Sequence, residues 1–178
     1  MQLIQVEQIF AHQAELMHKY HPIEVEHGYS PPPHPLDLST REGQDRMRQF
    51  AWWVTEEILE AYDAPHHDYP GELSDILHFL TEMCILAGIT PAQVVDCSYA
   101  PRHHPLHMVL ESMGSSIRLL KGKPWKKQFT APSLTIFRVG LISAYRLLWE
   151  HCECENLSPY TIYFDKNAIN HTRIQTGY

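Results

Sequence analysis

Almost no stretch of this 178-residue chain alternates apolar and polar residues with period two; its apolar residues recur every third or fourth position. That spacing places them on one face of a helix, and it restricts the fold class to all-α. Leu3, Val6, Phe10, Met17 and Tyr20 form a stripe over residues 2–20. Met47, Phe50, Ala51, Val54, Ile58 and Tyr62 form a second over 41–63, with Pro65 just past its end. Leu73, Ile76, Leu77, Leu80, Cys84 and Ala87 form a third over 72–87, closed by Gly88. Thr90-Pro91 opens a short helix to Tyr99. Further helices are expected over 105–121, over 133–152 with Ser133 as N-cap, and from Pro159 to Asn170. Between the first two lies Ser30-Pro-Pro-Pro-His-Pro35, which cannot be helical and reads as an extended strap.

Composition excludes several classes. With 44% apolar and 20% charged residues the chain can bury a core. No apolar run approaches the length of a membrane span, and Met1 to Phe10 carries no basic leader followed by an apolar block. Four cysteines in a chain of this length are no disulfide framework, so reduced thiols in a cytoplasm are expected. A net charge of −7 argues against a nucleic-acid polymer or an anionic membrane as partner. The charge is uneven: residues 1–89 hold 4 Lys/Arg against 15 Asp/Glu, a net of −11, and residues 90–178 hold 10 against 6, a net of +4. Residues 41–99 thus read as an acidic half and 105–178 as a basic half of one domain spanning 1–178.

The acids are ordered. Glu57-x-x-Glu60 and Glu72-x-x-Asp75 each put two carboxylates on one helix face. The loop from Ala64 to Gly71 is short, so the two helices are antiparallel neighbours and four carboxylates can converge. Four uncompensated negative charges against a core repel one another, and a hard divalent cation with oxygen ligands relieves that conflict. Glu56 and Glu82 lie close to the same stripes. The plainer reading, a solvated face of two amphipathic helices, weakens when two such pairs sit on adjacent helices. A faint repeat at an offset of 68 residues lays Gly71–Leu80 over Val139–Leu148, with Leu80/Leu148, Glu82/Glu150, Cys84/Cys152 and Pro91/Pro159 identical. In that register Glu72 and Asp75 become Gly140 and Ser143.

Glu57-x-x-Glu60 and Glu72-x-x-Asp75 resemble the metal motifs of the all-α nucleoside triphosphate pyrophosphatases, the superfamily of MazG, the dCTP pyrophosphatases and the dimeric dUTPases. Gly71-Glu-Leu-Ser-Asp-Ile-Leu77 is similar to its third helix, and Tyr163-Phe-Asp-Lys-Asn167-Ala-Ile-Asn170-His-Thr-Arg173 through Tyr178 resembles the tail of dimeric dUTPases and tailed-phage dCTP/dUTP pyrophosphatases. Lys123-Pro-Trp-Lys-Lys127 resembles a basic tryptophan loop of those phage enzymes, although here it follows both acidic motifs. The likeness covers residues 46–88 and 121–178; residues 1–40 match nothing in it. It implies a MazG-like four-helix bundle with additional C-terminal helices, assembled as a homodimer or higher homo-oligomer, in the cytoplasm of a prokaryote or of a phage's host. It implies Mg²⁺-dependent (with Mn²⁺ as substitute) cleavage of a deoxynucleoside triphosphate, dUTP or dCTP first and a purine still open, to monophosphate and pyrophosphate. Glu57, Glu60, Glu72 and Asp75 would hold metal, with Glu57 or Glu60 orienting or deprotonating the water. Lys123, Lys126, Lys127, Lys166 and Arg173 would bind phosphates, Asn167 and Asn170 sugar or phosphate, and Trp125 would stack on the base.

Two other readings stay open. His66-His67-Asp68 contains the pair that marks HD phosphohydrolases, in which His67 and Asp68 would be metal ligands, but a helical upstream histidine is missing, since His34 sits in the proline run. His103 with His107, and His151-Cys152-Glu-Cys154, lack a zinc spacing with enough ligands. The other reading is a helical interaction module without catalysis.

Overall fold

Proline, glycine and small polar caps decide where the helices of this chain begin and end. The computed structural model describes residues 1–95, 104–123, 125–127 and 129–177. Among them are seven helices and no strand: α1 (Leu3–Glu26), α2 (Arg41–Asp63), α3 (Tyr69–Leu86), α4 (Pro91–Val95), α5 (His107–Ile117), α6 (Leu134–Cys154) and α7 (Pro159–Thr176). The all-α reading holds. The Thr40 hydroxyl caps α2 by accepting from the Gly43 amide, and the Ser158 hydroxyl caps α7 by accepting from Thr161. Ser133 precedes α6 but makes no side-chain cap bond. Of the expected helix Pro91 to Tyr99, the part after Val95 lies outside the described residues.

Two helices run about six residues past their expected ends. α1 continues through Pro22 to Glu26, because its last turn is anchored to α2 by an ion pair between Glu24 and Arg46. α7 runs on to Thr176 rather than stopping at Asn170, since it packs along α3 and α1. Tertiary contact in both cases outweighs a local stop signal.

α2 packs on α3, α3 on α6, α6 on α5, and α5 returns to α2. This ring of four encloses Phe50, Val54, Ile58, Leu73, Ile76, Leu80, Phe137, Leu141, Tyr145 and Trp149, all essentially buried. Each such side chain contributes about 1.5–3 kcal/mol of transfer free energy. α1 and α7 cross the outside of α3 and touch each other. The proline strap returns from α1 to α2 and is pinned where the Leu36 amide donates to the Leu86 carbonyl at 2.8 Å.

The same helix ending occurs twice. After α3, Gly88 at φ 66° lets Ile89 N–H reach Cys84 C=O and its own N–H reach Ile85 C=O. After α6, Asn156 at φ 59° lets Leu157 reach Cys152 and Asn156 reach Glu153. The two corners are 68 residues apart, the offset of the sequence repeat, and each leads to a Thr/Ser-Pro helix start. No helix among the described residues is long and apolar enough to cross a membrane. Cys84, Cys152 and Cys154 are free thiols, and Cys97 lies outside the described residues.

Candidate active site

The α2 and α3 stripes that build the core leave a second pair of faces turned toward α1 and α7. On α2 that face carries Arg46, Phe50, Trp53 and Glu57, at spacings of four, three and four; on α3 it carries Asp75, His78, Phe79 and Glu82. α1 closes the third side with Leu16, Met17 and Tyr20 among others, and the strap adds Pro31 and Pro32. The result is a cavity of about 360 Å³. It is graded along its length. One end is carboxylate, the middle is aromatic, and Arg46 and Glu82 line the other end. Asp75 and Glu82 are seven residues apart, so the ends are separated by about 10 Å along α3. Residues 1–40, which resembled nothing, therefore supply one wall.

At the carboxylate end, one oxygen from each of Glu57, Glu72 and Asp75 lies within 4.8 Å of the others. The antiparallel hairpin makes this possible, as the spacing of the acids required. Three acids converge rather than four. Glu60 is exposed and stands outside that group, although its charge still acts on all three. Half-burial, reinforced by Asp75, Glu60 and Glu72, pushes Glu57 up to about 7. Burial followed by the neighbouring acids raises Glu72. Asp75 is also raised, by burial first, even though Lys166 makes an ion pair with it. The cluster is thus a set of hard oxygen donors under electrostatic strain with one ammonium against it. That donor set fits Mg²⁺ or Mn²⁺.

α7 delivers the tail residues. Lys166 pairs with Asp75, the charge of Arg173 reaches Asp75, and Asn170 with Arg173 lines the cavity. Asn167 points inward instead: it is buried, with its amide 3.4 Å from the Tyr163 hydroxyl, which in turn donates to Gln13 of α1 at 2.9 Å. It packs between α7 and α1 and does not line the cavity.

The basic tryptophan loop lies elsewhere. Arg48 donates to the carbonyls of Leu120 and Gly122 at 2.9 and 2.6 Å, the Gly122 amide donates to Gln44 at 2.8 Å, and Arg41 reaches the Lys126 carbonyl at 3.4 Å. These bonds hold the loop beside the first two turns of α2, about 14 to 24 Å from Glu57 along the helix. Lys123, Trp125, Lys126 and Lys127 are exposed there, Trp125 to 79%. Within one chain they do not meet the acids, and the aromatic surface next to the carboxylates is Trp53 with Phe50 and Phe79. Trp53 and Phe79 stand 5.5 Å apart, and Phe50 sits edge-on to Trp53 at 4.9 Å. A signal for them existed: Trp53 precedes Glu57 by one turn and Phe79 follows Asp75 by one turn. It was masked because the same positions continue the apolar stripes.

The histidine readings fare poorly. His67 and Asp68 form a 3.5 Å contact on an exposed turn, with no third ligand among the described residues. His151 is buried and bonded, its Nδ1 to the His104 carbonyl and its Nε2 to the Tyr69 hydroxyl, each at 2.7 Å. His103 lies outside the described residues. No protein-family model, curated protein or solved structure matches this chain.

Proposed function

We propose that this chain is a Mg²⁺-dependent deoxynucleoside triphosphate pyrophosphohydrolase of the all-α, MazG/dUTPase-like kind, releasing monophosphate and pyrophosphate. The observation that carries the reading is the graded cavity: three carboxylates at one end, an aromatic middle, and cationic Lys166 and Arg173 beside the acids. A triphosphate needs charge neutralisation at one end and a base needs a π-face at the other, at a separation close to that between a nucleotide's phosphates and its base. A divalent cation held by Glu57, Glu72 and Asp75 would neutralise the phosphates and polarise the attacking water. The chain itself orients that water through Glu57, with Glu60 next in line, and binds phosphate oxygens with Arg173 and with Lys166 once the cation replaces it at Asp75. Exposed Trp52 and Leu59 on α2, and Ile136 and Val139 on α6, are the faces on which a second copy would dock.

The test is to incubate the protein with each of the four dNTPs and dUTP, with and without Mg²⁺, and to identify products by phosphorus NMR. Monophosphate plus pyrophosphate is expected, and only with metal. If no nucleotide gives pyrophosphate, the proposal is wrong; release of triphosphate with loss of activity in His67→Ala would revive the HD reading.

A further inference from the structure

The largest run of one charge in the molecule lies outside the cavity. Residues 112–149 hold seven Lys/Arg and no Asp/Glu. The six lysines of the chain are used in two ways. Lys19 and Lys166 are each ion-paired with an acid, Glu15 and Asp75. The other four, Lys121, Lys123, Lys126 and Lys127, fall within seven residues, are exposed, and pair with no acid among the described residues. Like charges left this close repel one another, and a polyanion relieves that repulsion. The net charge of −7 comes from the acidic half and does not describe this surface.

The loop that carries these lysines is held in one shape. Buried Gln44 clasps both of its ends: its Oε1 accepts from the Gly122 amide at 2.8 Å, and its Nε2 donates to the Thr130 carbonyl at 3.0 Å. Arg41 lies over the Phe129 ring at 4.8 Å and packs the base of the loop. Inside the clasp the Lys126 amide donates to the Lys123 carbonyl at 2.8 Å and closes a turn. Trp125 stands on that turn, 79% exposed, more than any other large apolar side chain among the described residues. An indole held in water on a fixed turn forfeits the burial such a ring ordinarily contributes, and a clasped loop loses little freedom on binding.

Together these features fit a partner that carries flat rings on an anionic backbone. We infer that the turn bearing Trp125 is a binding site for single-stranded nucleic acid, with Lys121, Lys123, Lys126 and Lys127 on backbone phosphates and the indole stacked on a base. In a duplex both faces of each base are already covered, so a ring on a protruding turn has nothing to stack on. An anionic membrane surface calls for a broader apolar face, whereas Trp125 is the one apolar side chain among the described residues of 123–127. Stacking and phosphate contacts are common to DNA and RNA, so the inference covers both. It is independent of the pyrophosphohydrolase reading, because the loop stands at the other end of α2 from Glu57.

The experiment titrates the full chain into fluorescein-labelled oligothymidylate, oligouridylate and a DNA duplex of equal length, at about 50 and about 200 mM salt, and reads anisotropy. Vesicles of phosphatidylcholine with phosphatidylserine run alongside in a sedimentation assay. Single strands of DNA, RNA or both are expected to bind with a dissociation constant of about 10⁻⁴ to 10⁻⁶ M, and with a log–log salt slope of about −2 to −3 for three to four phosphate contacts. Joint replacement of Lys123, Lys126 and Lys127 by alanine should weaken binding by more than about tenfold and flatten that slope to about −1 or less. Trp125→Ala should cost about tenfold on single strands and leave duplex binding unchanged, while Trp125→Phe keeps most of the affinity. No binding of either single strand at the lower salt overturns the inference. So does a preference for the duplex, an affinity that Trp125→Ala leaves untouched, or capture by the vesicles without capture of the oligonucleotides, which would assign the surface to a membrane instead.

Discussion

The hairpins α2–α3 and α5–α6 are built alike and used differently. Each ends in the same left-handed corner, 68 residues apart, and α3 and α6 pack against each other in the middle of the ring. What lies across the second helix of each pair separates them. α3 turns its polar face toward α1 and α7 and so borders a cavity. On α6, the residue aligned with Glu72 is Gly140, where a Cβ would come within 2.3 Å of the Ser116 hydroxyl and 2.7 Å of the Ser112 carbonyl. A carboxylate has room on one helix, and the other has no room even for a methyl group. Amphipathic helices of one type thus become a site or a seam according to what covers their second face.

That contrast breaks most sharply at the acids. Glu57→Ala or Asp75→Ala should lower Mg²⁺-dependent pyrophosphate release by on the order of 10³-fold. The helical circular-dichroism spectrum should persist, because the acids are not part of the core. In the other hairpin, Gly140→Ala should do the reverse. Overpacking against a backbone carbonyl costs about 1–3 kcal/mol, read as a lower urea midpoint, while turnover per folded molecule stays near the wild-type value. If Gly140→Ala silences catalysis without loss of stability, the division of labour between the hairpins is wrong.

A smaller effect follows from the charges that α2 and α3 hold against their neighbours. Glu57 and Glu82 are pushed up from the ordinary 4.5 to about 7 and about 8. Between pH 6.5 and 8 these two acids add more protons to the native state than the unfolded chain gains at His78 and His171, whose folded pKa values are lowered, so stability falls as pH rises. The metal-free protein should therefore melt at a lower temperature at pH 8 than at pH 6.5. Glu82→Gln and Mg²⁺ should each flatten that slope, and a rising Tm across the window would contradict the burial assigned to the two groups. Smallest of all is the contrast between α7 and the basic loop. Lys166→Ala should raise KM by about tenfold, whereas joint replacement of Lys123, Lys126 and Lys127 by alanine should change it by less than about twofold. Loss of activity in that triple variant would show that the loop reaches a site, which within one chain it does not.

Much of this was legible before any coordinates. The boundaries of α2 agree with the stripe over 41–63, and every residue of the α3 stripe from Leu73 to Ala87 is buried. The convergence of Glu57, Glu72 and Asp75 follows from two short spacings and a short loop. Less legible was any feature made by residues far apart in the chain. Trp125 invited a base-stacking role through its neighbouring lysines, yet Arg48 and Gln44 hold its loop at the opposite end of α2. Asn167 invited a ligand role and is spent on Tyr163. Nothing local in residues 1–40 announced that α1 and the strap would wall a cavity.

The sequence by itself determined the helices, the stripes each one buries, and the pairing of acids across one hairpin. All three depend on periodicity and loop length, which act over a few residues. Only the tertiary structure decided which polar faces enclose space and which are sealed. That choice left Glu60 and the basic loop outside and brought Trp53 and Glu82 in. The reason is physical: a helix face has a fate only once another element lies against it or fails to, and the free energy that settles the matter is shared among side chains too distant in the chain to leave a local pattern.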